Sequence, residues 1–284
     1  MSVLRAQAFW ILLALVCAGY LLFWALLIGA TAGYSPPEHW FKALASPAIR
    51  HAAWLSLFTS TAAALFALVV GLPIGYLLAR RDFRGKSLLD AALDIPIVLP
   101  PMVVGLCLLI FFQTPLGRII EHGIERGEVF QVFGLFSITS PLRVPGLMVF
   151  TYTVAGVVLA QFTVAAAFAI RSLRGTFDHL PARPEEVALT LGGTPGQAFR
   201  LVALPAARRG MVAAFCIAWA RSLGEFGPIL VFAGATRMKT EVLPTTVWLE
   251  LSVGNLEAAV AVSLLMILIA VAVLVVVRIT GERV

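Results

Sequence analysis

Charged side chains are scarce in this sequence. Asp, Glu, Lys and Arg make up 13% of its 284 residues, 60% of the residues are hydrophobic, and the mean hydropathy is +0.96. A soluble globular domain carries roughly 25% charged residues. The composition therefore excludes a soluble domain and indicates a polytopic membrane protein with little length outside the bilayer.

Cysteine and histidine are also few. The three cysteines fall within apolar runs and cannot form an extracellular disulfide framework; they are Cys17, Cys107 and Cys216. The four histidines are scattered over loops and span ends, at His39, His51, His122 and His179. None of them forms the His-Glu-x-x-His pattern of zinc enzymes. We therefore predict no metal site, no cofactor and no catalytic residue in this chain.

A phosphate-binding loop is missing as well. Arg-Gly-Lys-Ser at 84–87 resembles the end of such a loop, but Arg80 occupies the position that must be Gly. These basic residues are expected to lie at anionic lipid headgroups instead. Any ATP must therefore be bound by a separate chain.

Long apolar runs are what the sequence has in abundance. Six of them have the length of roughly 20 residues that a membrane-spanning helix needs. They lie at 8–30, 52–79, 92–112, 146–170, 211–234 and 257–278. The first is too long for the core of a cleaved signal peptide, so we interpret it as a membrane span.

The third and fifth runs contain helix breakers. These are Pro96, Pro100 and Pro101 in the third run, and Gly224, Gly227 and Pro228 in the fifth. A broken helix at membrane depth needs neighbouring protein or a wet cavity to satisfy its free backbone groups. We therefore predict that both runs line a pathway.

The distribution of Lys and Arg predicts the orientation. With the N-terminus inside, 13 of the 21 basic residues fall on the cytoplasmic side. Six spans then return the C-terminus to the cytoplasm, and the second cytoplasmic loop covers 171–210. Topology explains the net charge of +6, so membrane lipid is an expected partner and nucleic acid is not.

A polar-faced stretch at 185–205 interrupts the apolar pattern. Pro184 and the carboxylates that follow it are typical of a helix start. Gly192 is placed to end that helix, Thr194 to begin another, and Pro205 to stop or bend the second. By shape alone, the stretch fits a helix lying on lipid headgroups as well as a docking element for another protein.

The spacing within this stretch resembles a family signature. Glu186-Val187-Ala188, three residues, Gly192, nine residues and then Val202-Ala203-Leu204-Pro205 is similar to the E-A-A-x3-G-x9-I-x-L-P signature of the inner-membrane permeases of ATP-binding-cassette (ABC) importers. In that family the segment forms coupling helices that insert into a groove on the cytoplasmic ATPase. The resemblance implies ATPase-coupling roles for Glu186, Ala188, Gly192, Gly193, Phe199, Leu204 and Pro205.

Further stretches resemble the molybdate, tungstate and sulfate permeases within that family. They are Ile-Pro-Ile-Val-Leu-Pro-Pro-Met-Val-Val-Gly at 95–105, Thr-Pro-Leu-Gly at 114–117, and Ala-Arg-Ser-Leu-Gly-Glu-Phe-Gly at 220–227, the last typical of molybdate members. The segment 235–241 lacks the Asn-x-Pro-Gly-Glu-Thr of many molybdate permeases, and the external loop at 113–144 is unusually apolar. Molybdate is the first expectation, with tungstate or sulfate next.

The resemblance also implies an architecture. The chain is expected to be all-α, with six transmembrane helices in one permease domain, 1–284, of the type I importer fold. A second permease chain, expected to be identical, would complete the pathway, and a cytoplasmic ABC ATPase dimer would bind the ATP. An extracytoplasmic oxyanion-binding protein would dock on 113–144 and 235–256. The expected location is the inner (plasma) membrane of a bacterial or archaeal cell.

Arg221 is expected near the bilayer midplane, about 16 Å along the helix from Gly210. A charge there costs roughly 2.5–3.5 kcal/mol, and Glu225, one turn further on, can pair with it. The pair either fastens spans together or gates the path of an oxyanion, and the sequence leaves both open. The pathway or gate candidates are Arg221, Ser222, Glu225, Pro228, Pro100 and Pro101.

Two other classes of protein deserve comparison. An ion-coupled secondary transporter of an anion would also have broken helices and a midplane charge. It is the alternative, although no inverted repeat is visible and the 185–205 signature would then serve no purpose. An intramembrane hydrolase would need a nucleophile with a partner at depth, and no histidine lies centrally in any span.

Overall fold

The computed structural model describes residues 2–34, 36–124, 129–132, 136–139, 144–145 and 148–283. In chain order the helices are α1 (Ser2–Gly33), α2 (Pro37–Ala45), α3 (Pro47–Arg80), α4 (Lys86–Val98), α5 (Pro101–Gln113), α6 (Pro115–His122), α7 (Val154–His179), α8 (Arg183–Thr190), α9 (Pro195–Ala198), α10 (Leu204–Ala206), α11 (Arg208–Leu223), α12 (Leu243–Ser252) and α13 (Leu256–Arg283). π-Helical segments occupy Phe199–Ala203 and Ile229–Ala233.

The helices provide up to six membrane spans, as the sequence predicts. Four are single helices of sufficient length and hydropathy: Phe9–Gly33, Pro47–Arg80, Val154–His179 and Leu256–Val273. Two bent pairs, α4 with α5 and Pro195–Ala206 with α11, bring the number to six if each pair counts as one span. The second pair differs from the predicted fifth span, 211–234, because α11 ends at Leu223 and Pro195–Ala206 belongs to the loop predicted at 171–210. The predicted all-α membrane fold is therefore confirmed.

The third apolar run is broken at its prolines. α4 ends at Val98 and α5 begins at Pro101, and the two axes are bent by 107°. Leu99 and Pro100 between them are extended, with ψ angles of 139° and 133°. A residue that precedes proline is pushed out of the helical region, so consecutive prolines force this break. Pro100 and Pro101 are both exposed.

The fourth span is displaced from its predicted position of 146–170. Its helix begins at Val154, after Tyr152 has taken a left-handed conformation and Thr153 has capped the first turn. It continues to His179, so the loop predicted at 171–210 begins nine residues later. The polar C-terminal end of α7 is helical, and there Arg171 and Arg174 form ion pairs with aspartates of α4.

Small residues allow the three central helices, α3, α7 and α11, to pack closely. Ala64, Ala67, Ala165, Ala169 and Ala218 are fully buried in one cluster between them. At another contact, a Cβ added to Gly75 would lie 3.0 Å from the backbone nitrogen of Arg174. Close backbone approach through small residues is the usual way in which membrane helices associate.

The segment between α5 and α7 adds minor β-structure to the helical fold. β1 (Gly123–Ile124) pairs antiparallel with β4 (Val144–Pro145), and β2 (Val129–Val132) pairs antiparallel with β3 (Phe136–Thr139). The register of the second pair sets Val129 opposite Thr139. The buried Glu121 of α6 ties this region to the bundle, because its Oε1 accepts hydrogen bonds from the backbone of Phe150 and Thr151 at 2.8 and 2.7 Å.

Candidate functional site

The element at 183–206 begins and turns where the sequence predicts. Pro184 lies in the first turn of α8. After the helix, Gly192 adopts a φ of 89°, and the Gly193 backbone donates a hydrogen bond to the Ala188 carbonyl at 3.0 Å. This pattern is typical of a glycine-ended helix. A Cβ on Gly193 would lie 2.7 Å from the Ala188 oxygen, so the turn requires glycine at this position too.

The second half of the 183–206 element starts with a complete capping box. The Thr194 hydroxyl accepts a hydrogen bond from the Gln197 backbone at 3.3 Å, and the Gln197 side chain accepts one from the Thr194 backbone at 2.8 Å. Helical structure then continues through Pro205, because a π-helical turn precedes it and relieves the clash of its ring. The chain bends by 73° just beyond, between Ala206 and Arg208.

The 183–206 element has an outward side and an inward side. Glu186 and Pro205 are exposed, and so are four apolar side chains: Val187, Leu189, Leu191 and Leu201. Phe199 and Leu204, two of the predicted coupling residues, are half-buried. The Phe199 ring lies 4.6 Å from that of Tyr76 in α3, between centroids. Phe199 therefore packs mainly within its own chain, because it lies on the inward side of the amphipathic element.

Sequence reasoning missed the role of Glu185. It treated this residue as one of two carboxylates at a helix start, but Glu185 is buried and forms a 2.8 Å ion pair with Arg80 at the end of α3. The two residues are 105 positions apart in the sequence. Only the position of Arg80 at the end of a span hinted at such a contact.

The two broken spans meet at their breaks. A Cβ added to Gly105 of α5 would lie 2.7 Å from the Cα of Pro228, and one added to Gly227 would lie 2.8 Å from the Met102 nitrogen and 3.0 Å from Pro101. The start of α5 therefore packs directly on the backbone of the break in the fifth apolar run. This contact brings together Pro101 and Pro228, two of the predicted pathway residues.

Arg221 and Glu225 form the predicted ion pair. Arg221 Nη1 lies 2.5 Å from Glu225 Oε2, and the guanidinium lies 5.7 Å from the centroid of the Phe168 ring. The Glu225 side chain is 1% exposed, whereas that of Arg221 is 31% exposed. The carboxylate is thus enclosed within the protein, whereas part of the Arg221 side chain is accessible.

Ser222 lies inside the bundle instead of on an open surface. Its side chain is 1% exposed, and its carbonyl accepts a hydrogen bond from Gln161 Nε2 of α7 at 3.1 Å. α11 ends one residue later, at Leu223. The same carbonyl accepts a hydrogen bond from the Glu225 backbone at 3.1 Å, so Gln161 adds a second, side-chain donor at the helix end.

A polar cleft of about 360 Å³ lies at the other end of the bundle from the 183–206 element. Arg237 and Glu250 form a 2.6 Å ion pair within it, and Asn255 Nδ2 donates to Glu250 at 2.8 Å. Lys42 and Ser46 also line the cleft. The cleft includes part of the segment 235–256, where the sequence predicts docking of a binding protein.

Comparisons with known proteins agree with these features. The family model "Binding-protein-dependent transport system inner membrane component" matches residues 71–284. The molybdate/tungstate transport system permease protein WtpB of Pyrococcus abyssi is 35% identical over 192 residues, which cover 68% of this chain and 64% of that protein. The sulfate transport system permease protein CysT of Salmonella typhimurium is 30% identical over 251 residues, 88% of this chain and 83% of that one.

A solved structure has the same fold. It belongs to a bacterial ABC transporter involved in the import of the acidic polysaccharide alginate, and it aligns with a TM-score of 0.67 over 97% of this chain and 96% of the other. The sequence identity is 16%, so this likeness bears on the arrangement of the helices alone.

Proposed function

The chain belongs to the family of binding-protein-dependent transport system inner membrane components, and on that premise we propose that it moves an oxyanion across the membrane, molybdate first and tungstate or sulfate next. It is the permease subunit of an ABC importer and a transport component, not an enzyme. The choice of oxyanion is supported by the relatives that transport molybdate, tungstate and sulfate. An ion-coupled secondary transporter is not favoured.

The observation that carries the proposal is the outward side of the 183–206 element. Glu186 and the exposed apolar side chains of Leu189, Leu191 and Leu201 form a surface that suits a protein groove. Its apolar residues offer burial and Glu186 offers a charge for an arginine or lysine of the partner. We assign this surface to a cytoplasmic ABC ATPase, which would bind the ATP.

The proposed assembly contains two copies of this chain, two ATPase subunits and an extracytoplasmic binding protein. Closure of the ATPase dimer would draw the two 183–206 elements together and open the pathway outward, where the binding protein releases its oxyanion. The polar cleft around Arg237 is our candidate for part of the docking surface. In this arrangement both termini are cytoplasmic, as the placement of Lys and Arg favours, and the membrane is the inner (plasma) membrane.

We assign the Arg221–Glu225 pair to bracing the break after α11. An enclosed carboxylate would repel an oxyanion, so Glu225 is unsuited to bind the transported ion directly. The accessible part of Arg221 leaves a second role at the gate open to test. Reconstituted uptake with Arg221→Gln separates the two roles, since normal transport with normal assembly contradicts a gate.

Co-purification tests the proposed function. The tagged chain, expressed with its ATPase, should retain the ATPase, and Glu186→Arg should reduce the retained amount about tenfold, because the reversed charge meets the same partner residue. Arg81→Glu, an exposed reversal outside the 183–206 element, is the matched control and should retain the ATPase. Equal retention by both variants contradicts the assigned surface.

A further inference from the structure

A buried ionic cluster joins the 183–206 element to two of the spans. It consists of Tyr76 and Arg80 in the last turns of α3 and of Glu185 in the first turn of α8, and we call it the Arg80 cluster. Arg80 Nε and Nη2 donate to Glu185 Oε1 at 3.0 and 2.8 Å. The Tyr76 hydroxyl donates to the other carboxylate oxygen at 2.6 Å. Both oxygens of Glu185 are therefore held by α3.

The same guanidinium also holds the end of α7. Arg80 Nη1 donates to the Phe177 carbonyl at 2.8 Å, and Nη2 donates to the Leu180 carbonyl at 3.1 Å. Phe177 lies in the last turn of α7 and its carbonyl also accepts a hydrogen bond from the Leu180 backbone at 3.2 Å, while Leu180 is the residue that follows the helix. One side chain thus connects α3, α7 and α8.

Burial makes these contacts strong. The side chains of Arg80 and Glu185 are 15% and 10% exposed, so solvent and salt screen them little. Two aromatic rings pack against the Tyr76 ring of the cluster: its centroid lies 5.3 Å from that of Phe177 and 4.6 Å from that of Phe199. Removing either charge would leave the other buried without a partner, which is strongly unfavourable.

The covalent connection alone would be much weaker. α7 ends at His179, and Leu180 is extended before α8 begins at Arg183. A short non-helical link of this kind transmits a pull or a push poorly unless side chains stiffen it. On its far side the 183–206 element continues into α11 through a bend of 73°.

We propose that the Arg80 cluster is the rigid linkage through which displacement of the 183–206 element moves α3 and α7, with Tyr76, Arg80 and Glu185 as positioning residues for transport. This inference rests on the proposed function. The two adjacent carboxylates then contact different partners. Glu186 faces outward to the ATPase, and Glu185 faces inward to the spans of its own chain.

The test measures oxyanion uptake per ATP hydrolysed in proteoliposomes that hold the complete importer and a saturating amount of loaded binding protein. Glu185→Gln should lower this ratio about tenfold, a coupling loss of ordinary size for one linkage. The ATPase should still co-purify, because the outward surface is intact. Arg84→Gln, an exposed charge in the loop after α3, is the matched control and should keep the wild-type ratio.

Three further variants cover a failure of Glu185→Gln to fold. Tyr76→Phe removes a single hydroxyl and should lower the ratio to a smaller extent, and Arg80→Glu combined with Glu185→Arg should restore part of it relative to Arg80→Glu alone. If Glu185→Gln and Tyr76→Phe both keep the wild-type ratio of uptake to ATP hydrolysis, the proposed linkage is wrong. If Glu185→Gln does not assemble, a wild-type ratio in Tyr76→Phe alone overturns it. Failure of the wild-type chain to retain any ATPase would instead overturn the proposed function.

Discussion

At the scale of single residues, the Arg221–Glu225 pair combines two very different exposures. Glu225 is enclosed, whereas about a third of the Arg221 side chain is accessible. Arg221→Gln leaves a buried carboxylate alone, which costs about 3–5 kcal/mol of stability. Glu225→Gln leaves a partly solvated guanidinium and should cost less. Thermal unfolding in detergent should therefore place the midpoint of Arg221→Gln below that of Glu225→Gln.

The double variant provides the control for this prediction. Arg221→Gln with Glu225→Gln removes both charges, so its midpoint should lie above that of Arg221→Gln alone. Equal midpoints for the two single variants would mean that the enclosed carboxylate does not determine the stability of the pair.

Gly105 provides a second prediction at this scale. Its added Cβ would meet the backbone of Pro228 at 2.7 Å, and backbone atoms cannot retreat as a flexible side chain can. Gly105→Ala should destabilise the protein by about 1–3 kcal/mol through overpacking. Gly175→Ala in α7 is the matched control, because no atom lies within 4 Å of its added Cβ and both sites are helical. A Gly105→Ala variant as stable as Gly175→Ala would contradict the close contact between the broken spans.

Glu121 makes stability depend on pH at the end of α6. Burial alone would raise its pKa, but hydrogen bonds from Thr151 and Phe150 outweigh this effect and hold the pKa below the ordinary value of 4.5. A lowered pKa in the folded state contributes stability above the unfolded-state value, and this contribution is lost as the pH falls through the folded-state value. The thermal midpoints of wild type and Glu121→Gln should therefore differ most at neutral pH and converge in acid. A constant difference would exclude this contribution.

At the scale of elements, the turn of the 183–206 element depends on one glycine conformation. Gly192→Ala forces a Cβ into the left-handed region at a φ of 89°, at a cost of about 1–2 kcal/mol. The variant should retain about tenfold less ATPase in co-purification, since 1.4 kcal/mol corresponds to a factor of ten. Gly196→Ala in the neighbouring α9 has open space around its Cβ and should behave like wild type. Full retention by Gly192→Ala would show that the turn is not needed for docking.

Some elements could be predicted from the sequence because their signals are local. Helix breakers placed the interruptions of the third and fifth runs, and capping residues placed both halves of the 183–206 element. The limits of α7 could not be predicted in this way. Its apolar entrance at 148–153 is not helical, and its polar end is helical and pairs Arg171 and Arg174 with Asp94 and Asp90 of α4, a contact that hydropathy does not record.

In the candidate site, too, local signals could be predicted from the sequence and contacts between distant residues could not. The proposed outward role of Glu186 follows from motif spacing, whereas the inward ion pair of Glu185 depends on an arginine 105 positions away. The inward packing of Phe199 likewise depends on Tyr76 of α3. Contacts between distant spans therefore decide which residues of the 183–206 element remain available to a partner.

At the scale of the whole molecule, the proposed ATPase contact and the proposed pathway lie in different regions of the chain. The 183–206 element lies at one end, the packed breaks around Gly105 and Gly227 lie within the spans, and the polar cleft around Arg237 lies at the far end. The Arg80 cluster links the first of these regions to α3 and α7. This order suits a permease that converts a movement at one end into a change of access at the other.

Measuring which energy source drives uptake tests the central claim most directly. The complete importer, reconstituted in proteoliposomes with its ATPase and binding protein, should accumulate labelled molybdate only when ATP is supplied on the ATPase side. Collapse of proton and sodium gradients should leave that uptake unchanged. Accumulation driven by an imposed ion gradient without ATP would contradict the account, because it would make the chain an ion-coupled transporter.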